Sequence, residues 1–222
     1  MWVFALAATL LSAAFAVALA RRWMDQRRPF LLLWTVALVM YALSSAAVCV
    51  GMLGEWSAPI FRIYWLFGAI LNVPYLAQGE LSLLAKRPAV VRGWLAVLLV
   101  ATAVATVAVF AAPVELEPGR TLPLGKDTFG SDALAYRLAQ LLAYPAYLYL
   151  GAGSIWSAVR MRGRPALRNR AVGTILVAVG ATIVAVGSGV GAGLDVAWLF
   201  VTGLAAGVAV MFWGFLRASR PA

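Results

Sequence analysis

Residues 30–52 read FLLLWTVALVMYALSSAAVCVGM, an uncharged run that decides the fold. An α-helix rises about 1.5 Å per residue, so a run of this length crosses the roughly 30 Å hydrocarbon core of a bilayer. Arg27 and Arg28 precede the run, and Glu55 follows it. The stretch is therefore predicted to be a transmembrane helix with one basic and one acidic end.

Six further apolar runs flank this one. The seven predicted spans are Val3–Ala20, Phe30–Met52, Ile60–Ala85, Gly93–Ala111, Leu134–Val159, Ala171–Ala192 and Val196–Leu216. Apolar residues make up 64% of the 222 residues, and the mean hydropathy is +0.92, whereas soluble domains are roughly 45–50% apolar. The sequence predicts an all-α integral membrane protein. Residues 1–222 are expected to form a single seven-helix transmembrane bundle, with one extracytoplasmic loop at about 112–133.

Basic residues are concentrated in alternate connections. Fourteen of the eighteen Lys and Arg residues lie between spans 1 and 2, 3 and 4, or 5 and 6, or after span 7. Six of the eight acids lie on the opposite side. The positive-inside rule then places the N-terminus outside and the C-terminus in the cytoplasm of a multi-pass protein of the bacterial inner membrane. Because these clusters form no single basic face, the net charge of +10 does not indicate nucleic-acid binding.

Span 1 has one alternative interpretation. Ala18-Leu19-Ala20 resembles a signal-peptide cleavage site, and cleavage there would leave six spans. A signal peptide carries its charge in front of the apolar segment, but Arg21 and Arg22 come after it. Span 1 is therefore expected to remain part of the protein.

The composition excludes much chemistry. The chain has no histidine, one cysteine (Cys49) inside an apolar run, and only two lysines, Lys86 at a span end and Lys126 in the long loop. A zinc site, a His-based catalytic triad and a retinal Schiff base each need residues that are missing from the spans. The protein is expected to be non-enzymatic and to carry no cofactor or metal.

Polar and aromatic side chains follow single faces of spans 2, 3 and 5. Polar groups in hydrocarbon must find partners, so these faces are predicted to point inward and meet. They would form either hydrogen bonds between helices or an outward-opening pocket with an aromatic wall. The candidate ligand-binding residues are Tyr41, Tyr64, Asn72, Tyr75, Glu80, Gln140, Tyr144 and Tyr147.

Glu80 is the acid that lies well inside a span. An ionisable residue within the membrane is a functional candidate by default. The alternative is a structural ion pair near the interface, for which Arg87 and Arg160 lie at a suitable depth.

Glycines repeat along spans 6 and 7. Gly173, Gly180 and Gly187 are seven residues apart on one face of span 6, and span 7 carries Gly203 and Gly207. Small residues let backbones approach in a bilayer, so spans 6 and 7 are predicted to pack closely as a pair.

In the long loop, Pro118-Gly119 suits the centre of a type II turn. A short hairpin over the mouth of the bundle is expected there. The loop would act either as a functional lid or as a solvated connector.

A segment of span 3 resembles part of a known family. Residues 62–68 read RIYWLFG, followed by Pro74 and Tyr75. Together with the order of the spans and the outside N-terminus, this segment resembles the seven-transmembrane N-terminal sensor region of membrane histidine kinases. In that family the seven spans imply a sensory input module. No kinase domain follows span 7 in this sequence, so sensing would require a separate partner.

The function expected from the sequence is therefore a sensor-like or small-ligand-binding membrane module. Its partners would be the lipid bilayer, a small amphipathic ligand and a separate protein, with no nucleic acid. Two alternatives stay open: a transporter of a small neutral solute, and an accessory subunit of a larger membrane complex.

Overall fold

The computed structural model of the protein describes residues 1–161, 168–194 and 196–218. Within these residues the regular structure is entirely helical. The long helices are α1 (Trp2–Gln26), α2 (Pro29–Leu53), α3 (Ala58–Leu84), α4 (Pro88–Ala111), α5 (Leu134–Met161), α6 (Arg168–Gly193) and α7 (Ala197–Ala218). A short helix, Gly125–Phe129, interrupts the connection between α4 and α5.

Six of these helices are long and apolar enough to cross a membrane, which indicates a multi-pass membrane protein. The exception is α5, which is long enough at 28 residues but carries more polar side chains, including Arg137 and Gln140. The helices also extend past the apolar runs. α1 continues to Gln26, six residues beyond the expected end of span 1, because a helix need not stop where the hydrocarbon does.

The neighbours of each helix define a closed order around the bundle. α1 packs against α2, α2 against α3, α3 against α5, α5 against α6, α6 against α7, and α7 returns to α1. α4 packs against α3 and α5. Chain order and spatial order therefore differ at one point, because α5 takes the place beside α3 that α4 would take in a simple ring.

Contacts between helix termini show that successive long helices run in opposite directions. The Cys49 thiol lies 3.7 Å from the Trp2 carbonyl, which brings the end of α2 to the start of α1. The Arg22 guanidinium lies 5.6 Å from the centre of the Phe215 ring, near the ends of α1 and α7. The bundle thus has two ends. The end that carries Glu55 and the long loop is called here the acidic end, and the opposite one the basic end.

The long loop packs onto the acidic end. Residues 117–120 form the expected turn, in which the Arg120 amide donates to the Glu117 carbonyl and Gly119 has φ of 79°. Leu122 and Phe129 are buried. The expected hairpin is absent from this loop, since residues 125–129 are helical and the only backbone hydrogen bond between residues 113–118 and 121–129 joins the Glu115 amide to the Thr128 carbonyl. Burial of two apolar side chains stabilises this docked form over an open ribbon.

The α6–α7 pair confirms the prediction from the glycine spacing. A Cβ atom added to Gly180 would lie 2.5 Å from the Gly207 carbonyl oxygen, and one added to Gly187 would lie 2.8 Å from Gly203 Cα. Real Cβ atoms do not approach other atoms so closely, so only glycine permits these backbones to touch. Dispersion contacts and helix packing hold such a pair together in lipid.

α3 contains a π-helical segment, Trp65–Leu71, three residues before Pro74. A proline ring clashes with the carbonyl four residues earlier, here that of Ile70 inside the segment. The wider π turn accommodates this clash and keeps α3 continuous. It also rotates the faces of α3 on the two sides of the segment relative to each other.

Candidate functional site

Three of the candidate tyrosines bond to neighbouring helices. The Tyr41 hydroxyl donates to the Leu204 carbonyl at 3.0 Å, which links α2 to α7. Tyr75 and Thr102 hydroxyls lie 3.2 Å apart between α3 and α4. The Tyr147 hydroxyl donates to Thr182 at 3.0 Å between α5 and α6. Of the two arrangements expected for the polar faces, these contacts match hydrogen bonding between helices rather than a pocket.

The other candidates are dispersed. Asn72 is buried in α3, whereas Tyr144 is 64% exposed on α5. Gln140 is also exposed and donates to the hydroxyl of Tyr136 on its own helix. The structure therefore does not gather the eight residues around one cavity, and their role as ligand contacts stays a prediction.

Tyr64 belongs to an aromatic cluster that closes the acidic end. The cluster consists of Trp56, Phe61, Tyr64, Trp65, Phe129, Tyr136 and Phe200. Phe61 lies 5.2 Å from Phe129 of the long loop, and Trp65 stacks on Tyr136 at 6.1 Å, between ring centres. The Trp65 indole donates to the Ala135 carbonyl at 2.9 Å. Rings fill the region where an outward-opening pocket was expected.

A groove of about 380 Å³ lies instead between α3, α4 and α5. Its lining is Pro74, Ala77, Gln78, Leu81, Trp94, Val97, Leu98, Ala101, Leu141, Leu142, Pro145, Ala146 and Tyr149. Gln78 and Tyr149 supply an amide and a hydroxyl, and the rest of the surface is largely apolar. Gln78 is itself held in place, because its amide donates to the Val91 carbonyl of α4 at 2.8 Å.

The groove opens sideways. Trp94 and Val97 of α4 and Leu141 of α5 line it, and each is more than half exposed. In a bilayer this opening faces lipid tails rather than water. The groove volume lies in the lower part of the range of about 300–1,000 Å³ that is usual for small-molecule sites.

None of the eight candidate residues lines the groove. Polar periodicity selected them, but the groove wall is mostly apolar and lies on the neighbouring face of both helices. The sequence feature that could have indicated the groove is a pair of prolines, Pro74 in α3 and Pro145 in α5. Proline interrupts close packing as well as hydrogen bonding.

Glu80 lies beside this groove at the α3–α5 contact. Its side chain is only 5% exposed, and the Ser154 hydroxyl lies 3.3 Å from Oε1. Oε2 has no hydrogen-bond partner. A Cβ added to Gly153 would lie 2.7 Å from the Glu80 carboxyl carbon, so glycine leaves the room that the carboxyl group occupies.

The expected ion pairs of Glu80 are not formed. Arg87 and Arg160 are both exposed, and neither pairs with Glu80 in the described part of the chain. The Arg160 guanidinium instead lies 5.4 Å from the centre of the Trp156 ring. Long arginine side chains reach toward the interface rather than into the bundle, so they leave the buried carboxyl group alone.

The described residues contain no group of three or more His, Cys, Asp or Glu side chains that could hold a metal ion. Comparison with protein-family models, with curated proteins and with solved structures gave no match. The groove and the buried carboxyl group are therefore the features from which a function can be argued.

Proposed function

We propose that this protein is a non-enzymatic seven-helix protein of the bacterial inner membrane that binds a small amphipathic ligand in the α3–α4–α5 groove. In this proposal α5 also crosses the membrane, which brings the number of spans to seven. The N-terminus lies outside, and the basic end lies in the cytoplasm. Binding is passed on to a separate partner protein. The class is a sensor-like or ligand-presenting module.

The observation that carries the proposal is the sideways opening of the groove. An apolar wall open to the bilayer admits a molecule that already resides among lipid tails. A water-soluble solute would have to cross the closed acidic end, where aromatic rings and the long loop are packed. Entry from the membrane therefore favours an amphipathic ligand.

The polar residues of the groove provide selectivity. Lipid tails are as apolar as the groove wall, so burial alone gives no net drive for binding. Shape and polar contacts must therefore supply the free energy that favours the groove over the surrounding lipid. Gln78 and Tyr149 offer a donor and acceptor pair at the wall, which suits an uncharged polar headgroup on a single chain.

α3 connects the groove with both ends of the bundle. It contributes Phe61 to the aromatic cluster at one end and Gln78 to the groove, and ends at Leu84 beside the basic connection to α4. A ligand that shifts α3 against α5 would move residues at the basic end. This continuity supports transmission to a partner in the cytoplasm.

Quenching of Trp94 fluorescence tests the proposal. The probes are single-chain amphiphiles with a nitroxide on the chain and a carboxylate, phosphocholine or hydroxyl headgroup, added to the protein in lipid nanodiscs. Trp94 lies in the groove wall, so at least one probe should quench its emission saturably. Trp94→Phe identifies the signal.

Ala101→Leu combined with Ala146→Leu fills the groove and should remove the saturable component. Ala103→Leu lies on the exposed face of α4 outside the groove and serves as the matched control. Linear, non-saturable quenching by every probe in all variants would show that lipid merely surrounds Trp94, and the proposal would fail.

A second candidate, transport of a small neutral solute, is favoured by the two prolines in the groove. Pro74 and Pro145 weaken the backbone ladders of α3 and α5 and would allow these helices to bend. Solute flux in proteoliposomes separates the two functions. Transport predicts flux that falls in Asn72→Ala and in Glu80→Gln, whereas a sensor predicts none above empty liposomes.

A further inference from the structure

Glu80 is the one acidic side chain among the described residues that is buried. It lies one turn from the end of α3, where that helix touches α5, and Oε2 has no partner. Its surroundings define the chemistry that it can support.

Within residues 1–161, 171–191 and 196–218, no cation is paired with Glu80. α5 contributes the Ser154 hydroxyl and the Gly153 backbone, and Tyr149 lies one turn before Gly153 on the same helix. α2 contributes Trp34, whose ring packs against Gly79 and whose indole donates to the Leu76 carbonyl. The arginines at this end of α2, α4 and α5 are exposed: Arg27, Arg28, Arg87, Arg92 and Arg160.

A carboxylate anion does not fit this site. A buried charge without a counter-ion is strongly unfavourable in a medium of low dielectric constant, and such a group neutralises instead. A neutral carboxylic acid can donate its O–H to the Ser154 oxygen from Oε1 and leave Oε2 as a weakly polar carbonyl. Proton uptake is therefore the reaction that the closed site accommodates.

We propose that Glu80 is an intramembrane proton-binding site that holds α3 against α5 while it is protonated and releases that contact when it loses its proton. The second half of this statement rests on the proposed function, because α3 and α5 are also two walls of the groove. Ionised Glu80 needs water or a cation, but its side chain is 5% exposed, and a Cβ added to Gly153 would already lie 2.7 Å from the carboxyl carbon. Loss of the proton must therefore separate the two helices and reshape the groove.

Infrared spectroscopy of the protein in nanodiscs tests proton binding without any ligand. The other acids of the described chain are exposed, and a C=O stretch of a protonated carboxyl group at pH 7 that is lost in Glu80→Gln reports Glu80. The band should be present in the wild type and absent in Glu80→Gln. In Ser154→Ala it should move to higher frequency, because one hydrogen bond is lost.

The matched control is Glu115→Gln, which removes an acid from the long loop and should leave the band unchanged. Absence of the band from the wild type at pH 7, or its persistence in Glu80→Gln, would overturn the proton site. This result is independent of whether the groove binds any amphiphile.

The link to the groove is tested with the Trp94 quenching probe. In the wild type, the probe concentration that gives half-saturated quenching should differ at least threefold between pH 6 and pH 9. In Glu80→Gln, which is neutral at every pH, the change should disappear while binding persists. Saturable binding with the same pH dependence in both proteins would refute the link but not the groove. No binding in either would refute the proposed function and leave the infrared result to decide the proton site.

Discussion

The α6–α7 pair and the α3–α4–α5 group are built on opposite rules. In the pair, glycines bring the two backbones into contact, as at Gly180 and Gly207. In the group, α3 and α5 each contain a proline, α3 contains a π-helical segment, and a groove remains between α3, α4 and α5. The difference shows that small residues bring two helices into backbone contact, whereas the helices that contain prolines leave space between them.

The two regions are also held by different forces. Close backbone contact depends on shape, so any added side chain must push the helices apart. The α3–α4–α5 group depends on a few hydrogen bonds between helices. Removing one of them should lower the free energy of unfolding less than overpacking the glycine contact does. Substitutions in the two regions should therefore lower the free energy of unfolding by different amounts. Three substitutions compare these amounts.

The largest effect is expected from Gly180→Leu in the tight pair. The first added carbon would already lie 2.5 Å from the Gly207 carbonyl oxygen and from the Met211 side chain, so α6 and α7 must separate. The free energy of unfolding should fall by about 2–4 kcal/mol, as for severe overpacking. SDS titration of the protein in mixed micelles, followed by circular dichroism, measures it.

Gly189→Leu is the matched control for this prediction. It lies on the same helix, and a Cβ there would meet no atom within 4 Å. A fall of less than about 0.5 kcal/mol is expected, as for exposed positions. Equal losses in the two variants would show that contact between the backbones at Gly180 does not limit the stability of this region.

An effect of intermediate size is expected from Arg62→Met, because Arg62 attaches α3 to α4. The Arg62 guanidinium donates to the carbonyls of Val109 at 3.2 Å and Ala112 at 2.9 Å, at the C-terminal end of α4. These carbonyls have no partners within the helix, and a cation there also complements the helix dipole. Unfolding free energy should fall by about 1.5 kcal/mol in the same SDS titration.

Arg137→Met provides the comparison, because Arg137 pairs with Asp132 at an exposed site. A surface pair contributes about 0–1 kcal/mol. If Arg137→Met were the more damaging variant, the assignment of Arg62 as the link between α3 and α4 would be wrong.

The smallest effect is expected from Tyr75→Phe. Thr102 already donates to the Leu98 carbonyl at 2.8 Å, so Tyr75 is the donor in the bond between their hydroxyls. Hydrogen bonds between transmembrane helices are worth about 0.6 kcal/mol. A double-mutant cycle with Thr102→Val should return a coupling of that size. A coupling above about 2 kcal/mol would make this region as firmly joined as the glycine pair and would end the contrast.

Much of the fold could be predicted from local patterns. Phe30–Met52 was expected to be a span, and the helix observed is Pro29–Leu53. The glycine spacing predicted the α6–α7 contact, since a seven-residue repeat keeps one helix face small over several turns. Both signals depend only on residues close together in the chain.

The site was less accessible from the sequence. The sequence makes Tyr41 a candidate ligand contact, and that role stays a prediction; the sequence did not show that the Tyr41 hydroxyl bonds to the carbonyl of Leu204, 163 residues away. Polarity in hydrocarbon shows that a side chain needs a partner, but not whether that partner is a backbone carbonyl or a ligand. The groove was missed because its wall is largely apolar and gives no periodic polar signal. The expected pairing of Glu80 with Arg87 or Arg160 was wrong because depth along the membrane normal does not determine which way a long side chain points.

The sequence alone determined that this protein is helical, which runs of it can lie in a membrane, and that charge differs between the two sides of those runs. Hydropathy and charge are properties of consecutive residues, so no knowledge of distant contacts is needed. The tertiary structure decided that α5 and not α4 closes the ring beside α3, that aromatic rings fill the acidic end, and that a buried carboxyl group lies beside an open groove. These features depend on how the shapes of helices far apart in the chain fit each other, and the chain order does not encode that fit in any local pattern.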